Sequence, residues 1–377
     1  MNRDLILIAI ALFTWGIGEG SFYYFQPLYL EEMGASPISI GTILGAAGIA
    51  MTIAHIPAGY LADQFGRRKL LWLAWIIGLT AAWLMALAKT LPVFISGLLL
   101  YSLTMFIMSP LSSYITAARG KWSVGQALTS ISATYNAGAV IGPLIGGFIG
   151  NNYGLKKTYL FAACIISISA IVAINLGEQP IEPKNTNNGN SLTKNRTYMS
   201  YLVVIFLAMF AMYMPQPLTP NFLQNERGLS LDTIGQICAA GNLGNVFLNL
   251  SLGRLSPSVG FLLGQIGVGM FSLLIWQAPG IPWYFIGYFM LGGYRTARSL
   301  ASAQVQTFVD RANMGLVYGI TETISASAAI IVPPIAGVIY DWKPEAIYPL
   351  SLILVIVSLL VSVVFTTRES GTKKATE

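Results

Sequence analysis

Gly59-Tyr60-Leu61-Ala62-Asp63-Gln64-Phe65-Gly66-Arg67-Arg68-Lys69 joins two long apolar stretches, and its reading decides the fold. Two glycines seven residues apart permit a tight reversal, an acid falls between them, and three cations follow. An Asp at a helix end faces the negative pole of its own dipole, so it needs a partner on another element. A turn that must be short, charged and repeatedly rearranged has this composition.

Working outward, the flanks are too apolar for water. The chain has 377 residues, 55% hydrophobic and only 10% charged, against about 25% charged in soluble domains. A soluble core cannot bury that much apolar surface, so the bilayer is the solvent. The stretch from Leu5 to Leu30 exceeds the 7–15 residue apolar core of a cleavable signal and reads as a spanning helix. Cys164 and Cys238 both fall in apolar segments, which argues against a disulfide framework. The net charge of +6 reflects basic loops on one side of a membrane and carries no nucleic-acid signal.

Twelve segments reach the roughly 20 residues that a span needs. They lie near 4–30, 38–63, 69–88, 92–117, 123–150, 157–176, 199–223, 231–254, 259–278, 282–308, 314–340 and 345–366. A polar linker over 177–198 divides an N-terminal six-helix bundle (1–176) from a C-terminal one with a short tail (199–377). With the N-terminus inside, 14 cations are cytoplasmic, among them Arg67, Arg68, Lys184, Lys194 and Arg311. Only Lys89, Lys156, Lys157, Arg227 and Lys343 lie outside, so both termini are expected in the cytoplasm. The halves echo one another. Gln26-Pro27-Leu28 returns as Gln216-Pro217-Leu218, Ile40-Gly41 as Ile234-Gly235, Gly59 and Gly66 as Gly253 and Gly260, and Pro143 and Gly146 as Pro334 and Gly337. Ordered echoes over the whole length indicate duplication.

Gly59-x-Leu61-x-Asp63-x-x-Gly66-Arg67-Arg68 resembles the loop between the second and third helices of Major Facilitator Superfamily transporters, with every specified position filled. The resemblance implies an all-α membrane protein of twelve helices in two six-helix bundles related by a pseudo-twofold axis, rocking around a central site. It implies that Asp63 and its cations lock the inner side shut, with Gly59, Gly66, Arg67 and Arg68 as gating residues. Gly138-x-x-x-Gly142-Pro143-x-x-Gly146-Gly147 resembles the fifth-helix motif of the family's antiporters, although Thr129 replaces a further glycine upstream. A small-residue packing motif is the competing account.

Ionisable groups within spans are costly and are functional candidates by default. Glu19 lies about 15 residues into the first segment, near mid-membrane at 1.5 Å per residue. Burial raises a carboxylic acid's pKa toward neutrality, and in the family's proton-coupled drug antiporters an acid on the first helix has this role. The alternative is a Glu fixed by an Arg or a Tyr hydroxyl. Trp15, Glu19, Phe22, Tyr23 and Gln26 follow helical spacing on one face. Arg295 and Arg298 sit one turn apart and could hold a carboxylate or phosphate. Pairing of Arg298 with Glu322, a second candidate for proton coupling, is the alternative that avoids an unpaired buried charge. His55 lies in a stripe with Gly41, Gly45, Gly48, Thr52 and Gly59, a face smooth enough to slide against segment 11, where Gly315, Tyr318, Glu322 and Ser325 align. A His55–Glu322 contact would be a pH-sensitive gate. Tyr101, Met105 and Met108 on the fourth segment and Met209, Met212, Tyr213 and Gln216 on the seventh would line a mixed apolar cavity. The fourth segment lacks the mid-helix Arg of many drug antiporters, with Tyr101 near that position.

No Walker loop, Cys/His metal cluster or nucleophile elbow appears, so neither ATP-driven pumping nor enzymatic catalysis is supported. The expectation is a monomeric secondary transporter of the plasma or inner membrane. It would need no cofactor, take energy from a proton gradient, and export a small amphipathic organic solute. Uptake or exchange of an organic anion through Arg295 is the alternative, and a transport-like sensor or uncoupled lipid-moving protein is a different class.

Overall fold

The computed structural model describes residues 3–178, 196–305 and 314–376, with the backbone alone described at 55–65, 109, 125, 314–316, 318 and 368–376. Most of the linker, including Lys184 and Lys194, and also Arg311, therefore lie outside the described residues. The described chain is helical and contains no strand. In order it forms α1 (Arg3–Tyr23), α2 (Gln26–Glu32), α3 (Pro37–Phe65), α4 (Arg67–Leu87), α5 (Leu91–Leu103), α6 (Met108–Ala118), α7 (Val124–Tyr153) and α8 (Leu155–Ile174). There follow α9 (Arg196–Tyr213), α10 (Thr219–Asn225), α11 (Leu231–Leu252), α12 (Pro257–Gln277), α13 (Ile281–Leu291), α14 (Gly293–Val305), α15 (Met314–Trp342) and α16 (Ile347–Thr376). A 3-10 turn over Thr104–Ile107 links α5 to α6.

Among the described residues, eight helices are long and apolar enough to cross a bilayer, nine if α5 and α6, bent by 41°, count as one span. The other expected spans are helical too. The fifth and eighth segments are the single helices α7 and α11, and the tenth divides into α13 and α14. Their Asn, Ser, Thr, Gln and Gly content, and the two arginines of α14, lower their hydropathy below that of lipid-facing spans. Polar residues belong on helices with protein or water beside them.

The first, fourth, seventh and tenth segments are all broken: at 24–25, at 104–107, at 214–218 and at Gly292. Breaks recur at matching places in the two sequence halves. Pro27 follows the first break and Pro217 falls within the third, where a missing N–H and a fixed φ disfavour an uninterrupted helix.

Two compact units form. The first comprises residues 1–36, 46–184 and 223–239, and the second 37–45, 185–222 and 240–377. In the first, α1 packs on α7 and α8, and α4 packs on α5 and α8. In the second, α9 packs on α15 and α16, and α12 packs on α13 and α16. The pairings correspond one for one, so the duplication is visible in the packing as well as in the sequence.

Polar links tie the apolar contacts of the first unit. Trp75 donates to Ser169 Oγ at 2.9 Å, and Ser169 donates to the Ala11 carbonyl at 2.6 Å. Phe22, Tyr29, Phe94 and Tyr159, all buried, form an aromatic cluster with ring centroids 4.8–5.3 Å apart. In the second unit the buried Gln265 receives a hydrogen bond from Ser358 at 2.8 Å and donates to Ser362 at 3.1 Å. Each such bond removes an otherwise unmet polar group from the interior.

Candidate functional site

Glu19 sits half-buried on α1, and its position follows from the residues around it. Gly16 and Gly20 flank it, and α7 presents Gly138 and Gly142 to the same crossing. A side chain at Gly16 would meet the Tyr135 carbonyl, and one at Gly20 would come within 3.1 Å of Ala139 O and Pro143 Cδ. Hydrogen in place of Cβ thus lets the two backbones touch. That closeness brings the Tyr135 hydroxyl of α7 to 2.8 Å from Glu19 Oε2, where it donates a hydrogen bond.

An aromatic wall stands beside the acid. Trp15 stacks on Tyr101 of α5 with centroids 5.9 Å apart, and meets Trp75 of α4 edge-on at 6.0 Å. Phe22 meets Tyr101 edge-on at 5.2 Å. The Tyr101 hydroxyl is buried, makes no hydrogen bond of ordinary geometry among the described residues, and lies within the electrostatic reach of Glu19. Carboxylate, two phenols and two indoles therefore share one region of the first unit.

Tyr23 and Gln26 continue this face in sequence but not in one helix. The chain breaks after Tyr23, which ends α1 exposed and edge-on to Tyr24 at 5.5 Å, and Gln26 opens α2 buried. Met105 lies half-buried in the 3-10 turn at the α5–α6 break.

In the second unit, Arg298 of α14 donates through Nε and Nη2 to Glu322 Oε2 at 3.0 and 2.7 Å, so the pairing of these two residues forms. Ser302 donates to Glu322 Oε1 at 3.0 Å. Arg295, one turn from Arg298, is exposed and its carbonyl accepts from Ser299. Tyr213 lies 5.8 Å from Tyr294 by ring centroids, and Gln216 donates to the Met212 carbonyl.

The signature loop is built as a reversal. Gly66 caps α4 at φ +83°, a backbone region that favours glycine. Arg67 reaches the Ser113 carbonyl at 3.4 Å; Arg68 pairs with Glu178 at 3.3 Å and lies 4.1 Å from the Trp72 ring centre. His55, Gly59 and Asp63 belong to the last turns of α3, where only the backbone is described, as it is at Gly315 and Tyr318 of α15.

Gly142 and Gly146 of the fifth-helix motif face α1, where a side chain would collide with Gly20 and Ser21. Pro143 lies within α7, and its carbonyl meets Gly235 of α11. The motif thus has a packing role.

Reading the sequence missed Tyr135 and Ser302. Tyr135, Gly138 and Gly142 recur at helical spacing, so the glycine stripe placed this phenol on the α1-facing side of α7. Ser302 follows Arg298 by one helical turn. Both signals are periodicities.

The sequence profile of the Major Facilitator Superfamily matches residues 8–261 and 201–377. Multidrug resistance protein 2 of Bacillus subtilis is 21% identical over 89% of this chain and 88% of its own length. The class E tetracycline resistance protein of Escherichia coli is 24% identical over 92% and 90%. Among solved structures, the nucleoside transporter NupG superposes with a TM-score of 0.79 at 14% identity, covering 97% of this chain and 98% of that one. The chain belongs to the Major Facilitator Superfamily and is a multi-pass membrane transporter of small molecules, not an enzyme.

Proposed function

We propose that the protein exports a small, amphipathic organic solute in exchange for protons, with Glu19 as the group that gains and loses the proton. The observation that carries this reading is the Tyr135–Glu19 hydrogen bond at 2.8 Å inside a spanning helix, one turn before the break that ends α1. A phenol is a neutral partner that can donate to a carboxylate or accept from a carboxylic acid. The contact therefore survives either protonation state, unlike an ion pair, which holds one. The stacked Trp15 and Tyr101 rings beside it suit an amphipathic solute with an aromatic or cationic part. Export agrees with the resistance proteins among the relatives.

Both termini are assigned to the cytoplasm, and the halves 1–176 and 199–377 rock about a central site. The Gly66 loop, through Asp63, Arg67 and Arg68, holds the inner side in one state. Glu322 is the second acid: gain of a proton there would loosen its hold on Arg298.

A second reading, exchange of an organic anion, rests on the exposed Arg295 one turn from the Arg298–Glu322 pair. Proteoliposomes loaded with a pH-sensitive dye separate the two. Under the first reading, a transported lipophilic solute dissipates an imposed proton gradient in the native protein. Glu19→Gln abolishes that dissipation but retains solute-for-solute exchange. Unaltered proton flux in Glu19→Gln removes the proposal, and loss of anion exchange in Arg295→Ala with Glu19→Gln intact establishes the second reading.

A further inference from the structure

Three cationic or acidic side chains away from Glu19 surround one cavity. A space of about 370 Å³ in the first unit is lined by Tyr29, Glu32, Lys89, Thr90, Leu91 and Lys156, among others. No ion pair among the described residues joins Glu32 to either lysine. Lys89 and Lys156 are exposed, and neither is neutralised by an acid within ion-pair distance among the described residues. Two helices also begin at this cavity. Thr90 and Leu91 open α5, and Lys156 is the second residue of α8. First-turn N–H groups have no partner inside their own helix and favour an anion. The walls thus offer two ammonium groups and helix N-terminal amides to a negative group, and one carboxylate to a positive one.

The cavity lies where two apolar spans end, the level at which lipid headgroups begin. The apolar span of α4 ends at Leu87, two residues before Lys89, and that of α8 begins at Leu155, next to Lys156. Leu87, Val93 and Tyr153, close in sequence to the lining residues, are exposed, as at a membrane–water boundary. This is the membrane face opposite the Gly66 loop, because α4 starts at that loop and ends here. The two lysines are among the few cations expected on that side, where orientation alone gives no reason for them.

We propose that this cavity binds the headgroup of a zwitterionic phospholipid, the phosphate between Lys89 and Lys156 and the ammonium against Glu32. A phosphodiester carrying an ammonium group is the shared chemistry, and the membrane is its source.

Native mass spectrometry of the full-length protein, titrated with phosphatidylethanolamine or phosphatidylglycerol, tests this. Phosphatidylethanolamine binds more tightly to the native protein, and Lys89→Ala and Lys156→Ala each weaken it about fivefold, the value of one cation near a lipid surface. The Lys89→Arg/Lys156→Arg double variant retains binding, which separates lost charge from lost folding. Glu32→Gln narrows the preference for phosphatidylethanolamine while leaving phosphatidylglycerol unweakened. Equal affinity of the native protein for the two lipids, or undiminished binding in both alanine variants, overturns the proposal. Binding of soluble glycerophosphoethanolamine as tightly as the lipid would make the ligand a solute and overturn the membrane source.

Discussion

Glu19 and Glu322 are both acids within the membrane segments, and their partners set them apart. Tyr135 gives Glu19 a neutral hydrogen bond, whereas Arg298 and Ser302 give Glu322 three bonds, two of them from a cation. Removing one hydrogen bond to a charged group costs about 1.5–3 kcal/mol. Tyr135→Phe is therefore expected to slow proton-driven transport by about tenfold to a hundredfold, at about 1.36 kcal/mol for each factor of ten. In a Glu19→Gln background, where only solute-for-solute exchange remains, it should leave that exchange unchanged, since the two residues act through one contact. A further loss of exchange in the double variant would show separate roles. The Arg298–Glu322 pair is partly exposed, so thermal unfolding of Arg298→Gln, Glu322→Gln and the double variant should give a coupling of only about 1 kcal/mol. This pair was legible beforehand, because a buried charge demands a counter-charge and depth along the helices left few choices. Tyr135 was not, because a phenol on a glycine-rich helix looks like packing until the register against α1 is known.

Glycine decides where α1 and α7 meet. A side chain at Gly138 would strike the Phe13 carbonyl and the backbone of Gly16 and Ile17, none of which can yield without moving the helix. Overpacking of this kind costs typically 1–3 kcal/mol. Gly138→Val should lower the unfolding temperature in detergent and, by parting the helices, remove the effect of Tyr135→Phe on transport. Gly319 of α15 is the counter-case: among the described residues nothing lies within 4 Å of a side chain there. Gly319→Ala should leave stability unchanged or raise it by up to about 1 kcal/mol, the helix-propensity gain. If both substitutions shift the unfolding temperature alike, close packing is not the function of the motif. Hydropathy made the helices themselves readable, but not the breaks in the first, fourth, seventh and tenth segments. An average over some twenty residues cannot register a two-residue interruption, and prolines mark only two of the four.

At the scale of the whole chain, two contacts recur with the duplication. Gly235 of α11 meets the Pro143 carbonyl and Gly147 of α7, and Gly41 of α3 meets the Pro333 carbonyl and Gly337 of α15. Each joins an element of one sequence half to an element of the other, within a single compact unit. If the halves rock, as proposed, both contacts must part in every cycle. Glycine makes that reversible, because at these two points backbone meets backbone and the glycine has no side chain to extract. A bulky residue at either glycine would disfavour the joined state and bias the protein toward the parted one. Cys238 supplies a reporter: it is buried on α11, three residues from Gly235. In a Cys164→Ser background, Gly235→Leu should raise the rate at which a membrane-impermeant maleimide labels Cys238 and should slow turnover. A solute that binds the joined state would restore protection only at higher concentration, because it must first offset the cost of closing over leucine. Gly41→Leu, in the repeat-related contact, should slow turnover to a similar degree. Unchanged Cys238 labelling in Gly235→Leu, together with full turnover in both variants, would mean that these seams stay joined throughout transport and that rocking takes place elsewhere.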